Sequence, residues 1–294
     1  MTTFWHSTAR TMLDYFGMNS VRKYHNLAFS RDSHANQSHG KVWLVGAGPG
    51  DAELLTIKAY KAIQQADIVL FDWLVDASVL ALIPAHCEKE FVGKRSGKHS
   101  LAQADISRRI LFHAQQGKQV VRLKGGDPAL FARTVEETSM LSMHNIPFLI
   151  IPGITSASGA SAYTGIPLTH RECAQSALFV TASFQTQDKE PDWPTLAAAS
   201  HHQTIVFYMG LKKLRVICER LMANGVPENF AIAVIDQACT RQQQVCEGSL
   251  SNIYFKVEQA NFMGPALIIC GEVVKHRQPV DVASLFENSQ TAVA

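Results

Sequence analysis

The chain has 294 residues, 47% hydrophobic and 18% charged, the balance of an ordinary globular protein long enough for one large domain or two modest ones. A formal net charge of +2 is too small to argue for a nucleic-acid partner, and no apolar run approaches the ~20 residues needed to span a bilayer. Composition alone therefore points to a cytoplasmic globular protein with neither a nucleic-acid nor a membrane partner.

Residues 1–40 mix Thr, Ser, Asn, His and Arg and lack the apolar core of a signal peptide. They are expected to form a poorly ordered extension, with a short helix over Thr11 to Tyr24 as a local option and Met18 as a later start. From Lys41 the pattern is regular. Val42 to Val45 reads as a buried strand ending in the loop Gly46-Ala47-Gly48-Pro49-Gly50-Asp51, and Ala52 to Gln64 as a helix. Asp67 to Phe71 is a second strand. Ser100 is the expected N-cap of a helix running to Gln116, with Ile106, Ile110 and Ala114 four apart and Gly117 as its stop. Val120 to Leu123 and Phe148 to Ile151 complete the strands of a first unit. This alternation predicts an α/β domain with a largely parallel sheet.

Pro152-Gly153 punctuates the middle of the chain. After Thr169 the same alternation resumes, with strands near Leu178–Val180, Ile205–Tyr208, Ala231–Ile235 and Ala266–Cys270 and a helix near Leu211–Ala223. Two α/β units are expected, 41–152 and 153–278, followed by a tail over 279–294. None of the six cysteines forms a C-x-x-C pair, and the twelve histidines show no metal spacing, so no metal is expected. All six cysteines read as structural, and His201-His202 as solvated.

The first glycine loop superficially suits a dinucleotide. A third glycine is required three residues after Gly48, and Asp51 stands there, which breaks the fingerprint. The strand Val120-Val121-Arg122-Leu123-Lys124 runs into Gly125-Gly126-Asp127-Pro128. Paired glycines let a ligand approach the backbone, and Asp127 suits either ribose hydroxyls or an amine, or simply the cap of a helix. Pro152 to Ser158 offers small residues and hydroxyls for a cavity wall or a helix start. Gly165-Ile166-Pro167-Leu168-Thr169-His170-Arg171 places a basic pair after a turn.

Together with Asp72, Val92 to Arg95, Tyr208-Met209-Gly210 and Gly264-Pro265-Ala266 with Gly271 to Val274, these segments resemble, in order and spacing, the uroporphyrinogen-III C-methyltransferases of the tetrapyrrole methylase family. The resemblance covers roughly Gly40 to Arg277. It implies two α/β domains with the active site in the cleft between them, usually in a homodimer. It implies S-adenosyl-L-methionine as methyl donor, leaving as S-adenosyl-L-homocysteine, held by Pro49, Gly125, Gly126, Asp127, Leu130, Thr155, Ser156, Met209, Ala238 and Ala266. An acid/base pair falls on Asp72 and Lys94, and Arg133, Glu136 and Arg171 surround a small-molecule tetrapyrrole rich in carboxylates, for which bidentate arginine is suited. For each of these five an ordinary surface ion pair is the competing reading, least so for Asp72, which ends an apolar strand.

The implied reaction is C-methylation of uroporphyrinogen III at two pyrrole carbons, giving precorrin-2 by way of precorrin-1 and serving siroheme, cobalamin or haem d1 synthesis. No module resembling a dehydrogenase–chelatase is present, so later steps are expected to fall to other proteins. The rivals are a methylase of a later precorrin or cobalt-precorrin and a non-catalytic tetrapyrrole-binding paralogue, with a nicotinamide oxidoreductase last. The family's Phe-Gly-Arg-Gly-Gly-Glu-Glu run reads Phe131-Ala132-Arg133-Thr134-Val135-Glu136-Glu137, which predicts a steric cost wherever a lost glycine had positive φ or lay in close contact with substrate. Its Thr-Gly-His reads Thr181-Ala182-Ser183, its Asn-Gly-Thr reads Gln237-Ala238-Cys239-Thr240, and Trp73 follows Asp72.

Overall fold

Short apolar strands separated by capped helices pack into two five-stranded sheets, each covered by helices. The structure is a computed structural model and describes residues 40–93, 102–183, 190–262 and 264–287. The expectation for residues 1–39, the cap at Ser100 and Lys94 of the acid/base pair lie outside them.

The first sheet contains β1 (Val42–Gly46), β2 (Ile68–Phe71), β3 (Glu88–Phe91), β4 (Val120–Lys124) and β5 (Phe148–Ile151), in the order β3-β2-β4-β1-β5, with every pairing parallel. Helices α1 (Ile57–Gln64), α2 (Ala77–Ala81), α3 (Gln103–Gln115) and α4 (Thr134–Met143) connect the strands. One face of the sheet buries Val45, Val69, Val121 and Leu123 against Ala59 and Ile63 of α1. The other buries Leu44, Leu70 and Val120 against Ile106 and Ile110 of α3 and Leu141 of α4. Burial on both faces is what makes parallel strands read as continuous apolar runs.

The second sheet contains β6 (Ser176–Thr181), β7 (Gln203–Tyr208), β8 (Ala231–Asp236), β9 (Gln244–Ser249) and β10 (Ala266–Cys270), in the order β6-β7-β10-β8-β9. Here only β6 and β7 are parallel; the other pairings are antiparallel. The expected resumption of one α/β pattern thus needs correcting, because β8 and β9 form a hairpin that needs no crossover helix. Helices α6 (Trp193–Ser200), α7 (Leu214–Ala223) and α8 (Ile253–Ala260) cover one face. Helix α5 (Ser156–Thr164), which follows directly from β5, covers the other through Ala157 and Ala160. Both sheets belong to one compact unit.

Several boundaries move for local reasons. The helix expected over Ala52–Gln64 is broken: Asp51 caps a 3₁₀ turn at Ala52–Leu54, Leu55 is extended, and Thr56 caps α1 by accepting from Ala59 N at 3.1 Å. Two cap residues five apart interrupt what the apolar spacing joins. Helix α3 has Ala102 as its cap, with the Asp105 carboxylate accepting from Ala102 N at 3.2 Å, and stops at Gly117 with φ +84°. In the region expected as a tail, Val282–Glu287 forms α9, whose Phe286 is buried with its ring 6.2 Å from that of Tyr163.

Candidate active site

Parallel pairing aligns the carboxyl ends of β2, β4, β1 and β5, with Phe71 opposite Leu123, Gly46 opposite Lys124 and Val45 opposite Ile151. The loops carrying Asp72, Gly125–Leu130, Gly46–Asp51 and Pro152–Thr155 therefore stand side by side along one edge. This edge is where open α/β sheets bind ligands. Four segments scattered over about a hundred residues become neighbours through strand order alone.

The loops are fastened to one another by backbone. Gly126 N donates to Gly48 O at 2.7 Å, Gly48 N donates to Gly126 O at 3.2 Å, and Ala47 N donates to Lys124 O at 2.8 Å. Gly46 and Gly153 are glycines because there is no room: a Cβ on Gly46 would lie 2.5 Å from Gly153 N, and one on Gly153 would lie 2.4 Å from Gly126 O. Gly126 is different. Its φ is +67°, and a Cβ there would meet nothing nearer than Ser156 Oγ at 3.8 Å, which leaves space for a ligand against the backbone. Asp127 is not a helix cap, since α4 begins at Thr134. Its Oδ1 accepts from Ala129 N at 2.7 Å and its Oδ2 from Gly153 N at 3.1 Å.

Across from these loops, the ends of the second sheet's strands meet. Leu267 pairs with Tyr208 and Ala266 with Asp236, so Met209, Ala238 and Ala266 share one edge. Met209 has φ +57° and is exposed. Buried Asp236 accepts from Gly264 N and so holds the turn before Ala266. Tyr208 joins the two halves. Its hydroxyl accepts from Ala157 N at 3.0 Å and lies 2.7 Å from Thr155 Oγ1, and its ring is 5.0 Å from that of Phe131. Pro49 packs against Gly159 of α5, where a Cβ would lie 2.5 Å from Pro49 Cγ. Asp51, which breaks the dinucleotide fingerprint, is buried and accepts from Tyr163 Oη at 2.7 Å; burial first, and then this carboxylate, push the phenol well up.

The most charged feature of the first half lies inside it. Arg122 and Lys124 alternate on the α3/α4 face of β4 and are almost fully buried with Glu137 of α4. Lys124 Nζ donates to Glu137 Oε2 at 2.6 Å, and Arg122 Nε donates to Glu137 Oε1 at 3.3 Å. Arg122 Nη2 then donates to Asp72 Oδ2 at 2.8 Å, while Leu74 N donates to Oδ1 at 3.0 Å. Two cations and two carboxylates balance, as buried charges must. Burial lowers the Lys124 ammonium below its usual range, with Glu137 pulling the other way.

Of the residues singled out in the sequence, the structure gathers Asp72, Gly125–Leu130, Pro49, Thr155 and Ser156 along the first edge and Met209, Ala238 and Ala266 along the second. Arg133 and Glu136 form an exposed ion pair at 2.9 Å at the start of α4. Burial alone would raise the Glu136 carboxyl, but the Arg133 hydrogen bond, a backbone hydrogen bond and the nearby positive charges together outweigh it and hold the group below the usual glutamate range. Arg171 is exposed on the loop between α5 and β6. The buried residues Arg122, Lys124 and Glu137 and the half-buried Tyr208 were not among the candidates. For Arg122 and Lys124 the one signal is a pair of cations alternating inside an apolar strand.

The lost glycines of the 131–137 run carry no backbone strain. Positive φ occurs at Phe131 (52°) and Arg133 (54°), not at Ala132, Thr134 or Val135. Val135 is exposed, and Thr134 is buried with its hydroxyl on Pro128 O. The cost expected from positive φ is absent at these three positions.

Residues 41–254 match the profile of the Tetrapyrrole (Corrin/Porphyrin) Methylases. Siroheme synthase of Methylobacillus flagellatus is 46% identical over 240 residues, covering 82% of this chain and 51% of the relative. Siroheme synthase of Pseudomonas aeruginosa is 47% identical over 256 residues, covering 87% of this chain and 54% of the relative. The chain thus spans about half the length of the curated relatives it matches. Among solved structures, the uroporphyrin-III C-methyltransferase of Thermus thermophilus complexed with S-adenosylhomocysteine superimposes with a TM-score of 0.68 at 38% identity, covering 80% of this chain and 99% of that one.

Proposed function

Since the chain belongs to the tetrapyrrole methylases, we propose that it transfers methyl groups from S-adenosyl-L-methionine to two pyrrole carbons of uroporphyrinogen III, giving precorrin-2 by way of precorrin-1. The observation that carries this reading is the facing of two loop edges: Asp72, Gly125–Leu130, Gly46–Asp51 and Pro152–Ser156 on one side, Met209, Ala238 and Ala266 on the other. The similar enzyme of Thermus thermophilus carries the demethylated donor.

Small residues and open backbone at Gly126 suit a donor that lies against the loop, with Pro49, Gly125, Asp127, Leu130, Thr155 and Ser156 around it. The sulfonium, when bound, supplies an already activated methyl group. What remains for the protein is alignment and removal of a proton. Asp72 is the proposed base, paired with Lys94. Arg122 and Leu74 N each take one lone pair of its carboxylate, which fixes the group's direction and leaves further lone pairs to accept a proton. Arg133 and Glu136 are proposed to meet the substrate's peripheral carboxylates, whereas Arg171 lies on the loop at the far end of α5 from Thr155 and is not brought to this edge. The exposed Trp73, Leu74, Phe131 and Phe179 offer an apolar surface to the ring system.

Ala132, Thr134 and Val135 take no positive φ, so backbone strain lends no support to a non-catalytic paralogue. No described helix is long and apolar enough to cross a membrane. A cytoplasmic homodimer is the proposed state, which size measurement in solution checks. The deciding experiment incubates the protein anaerobically with uroporphyrinogen III and labelled donor and counts methyl groups by mass. Two added methyls support the reading. Donor binding with transfer only to a later precorrin would replace it, and donor binding with no transfer to any tetrapyrrole would overturn it.

A further inference from the structure

Away from the loop edges, at the opposite ends of α5 and β10 from Thr155 and Ala266, three soft ligands converge. The loop after α5 folds into a turn closed by His170 and Ala174, with Ala174 N donating to His170 O at 2.9 Å and His170 N to Ala174 O at 2.7 Å. That turn brings Cys173 beside His170. The 3₁₀ segment Glu272–His276, which follows β10, lays His276 over them. The two imidazoles stack with centroids 4.1 Å apart, and one ligand atom each of His170, Cys173 and His276 lies within 4.8 Å of the others.

We propose that His170, Cys173 and His276 form a site for one divalent transition-metal ion of borderline softness, of which zinc is the type. The donor set argues for this class. Two imidazole nitrogens and a thiolate suit zinc and its neighbours, whereas calcium and magnesium demand oxygen. Three protein ligands leave a fourth tetrahedral position open. Tetrahedral zinc separates its ligand atoms by about 3.5 Å, so binding draws the three together by roughly 1 Å. It also tilts His276 out of the stack, since a metal must lie in both ring planes. His276 is exposed and free to turn. On binding, the Cys173 thiol gives its proton to solvent and its sulfur lone pair to the metal. The ion then clamps the turn after α5 to the segment after β10, two stretches far apart in the chain. Sequence spacing hides the site, because only His170 and Cys173 are local.

The test uses the full chain stripped of metal and then given zinc or cobalt(II) alone. The expected result is one zinc bound per chain and a thiolate-to-cobalt charge-transfer band. Cys173→Ser should abolish the band, and His276→Ala should weaken zinc binding at least about tenfold. A His201→Ala/His202→Ala control should change neither. Retained binding of S-adenosylhomocysteine by each variant shows that it is folded. A stoichiometry well below one, or a cobalt spectrum unchanged by Cys173→Ser, overturns the proposal.

Discussion

Asp127 Oδ2 accepts the Gly153 amide at 3.1 Å and so ties the loop after β4 to the loop after β5. Its other oxygen fixes the turn through Ala129 N. Asp127→Ala removes two charge-assisted bonds, each worth about 1.5–3 kcal/mol. Affinity for S-adenosylhomocysteine, measured calorimetrically, should fall at least about tenfold. Unchanged affinity would show that the loops hold their places without this carboxylate.

Arg122 is bonded to Asp72 on one side and to Glu137 on the other. Arg122→Met leaves Glu137 with Lys124 as its remaining cation and should cost about 3–5 kcal/mol in urea unfolding. Arg122→Lys keeps the charge but cannot bridge both carboxylates. It should lower the rate of methyl transfer more than it lowers donor affinity. Equal losses in both would place Arg122 in the scaffold only.

Two loop glycines should respond differently to the same change. At Gly46 an added Cβ would strike the Gly153 backbone, so Gly46→Ala should destabilise by about 2–3 kcal/mol. At Gly126 there is room, and the cost is the left-handed backbone alone, about 1–2 kcal/mol. If the donor lies against Gly126, the new methyl should nonetheless reduce its binding more than it reduces stability. Thermal unfolding with and without S-adenosylhomocysteine separates the two.

The Arg133–Glu136 pair is exposed, so losing it should alter stability by no more than about 1 kcal/mol. A double Ala variant that keeps its stability but shows a raised KM for uroporphyrinogen III would assign the pair to the substrate's carboxylates. An unchanged KM would leave it a surface ion pair.

The buried thiols of Cys218 and Cys239 are each pushed up to about 12, chiefly by burial and then by a nearby carboxylate. Unfolded thiols ionise near pH 9, whereas the folded ones stay neutral. Their contribution to stability is therefore complete below about pH 9 and is lost as pH rises toward 12, by up to about 1.4 kcal/mol per pH unit for each thiol. Urea midpoints measured across that window should fall, and fall less steeply in the Cys218→Ala/Cys239→Ala variant. An equal slope would mean that other groups carry the alkaline loss.

The central strands of both sheets were legible because they are buried on both faces: β1, β4 and β10 lie within a residue of the bounds their apolar runs suggest. Strand β3 was not, since Glu-Lys-Glu-Phe at a sheet edge carries charge and no apolar run. The gathering of loops was legible only as a resemblance, because strand order is a long-range property. The pairing of Lys124 with Glu137 was beyond reach for the same reason. Helix register turns Glu137 inward and Glu136 outward, and nothing local tells one glutamate from its neighbour.

The reciprocal bonds between Gly48 and Gly126 bear on how a ligand enters. Loop amides ordinarily exchange their hydrogens with solvent quickly, but these two are paired as strand amides are, and neither loop lifts without breaking the other's bonds. In exchange measurements both should therefore stay protected alongside β1 and β4. The first-sheet side of the cleft behaves as a rigid floor. On the proposed donor site, entry and release would then fall to the opposite wall, where Met209 stands exposed in a left-handed backbone and the turn at Gly264 precedes Ala266.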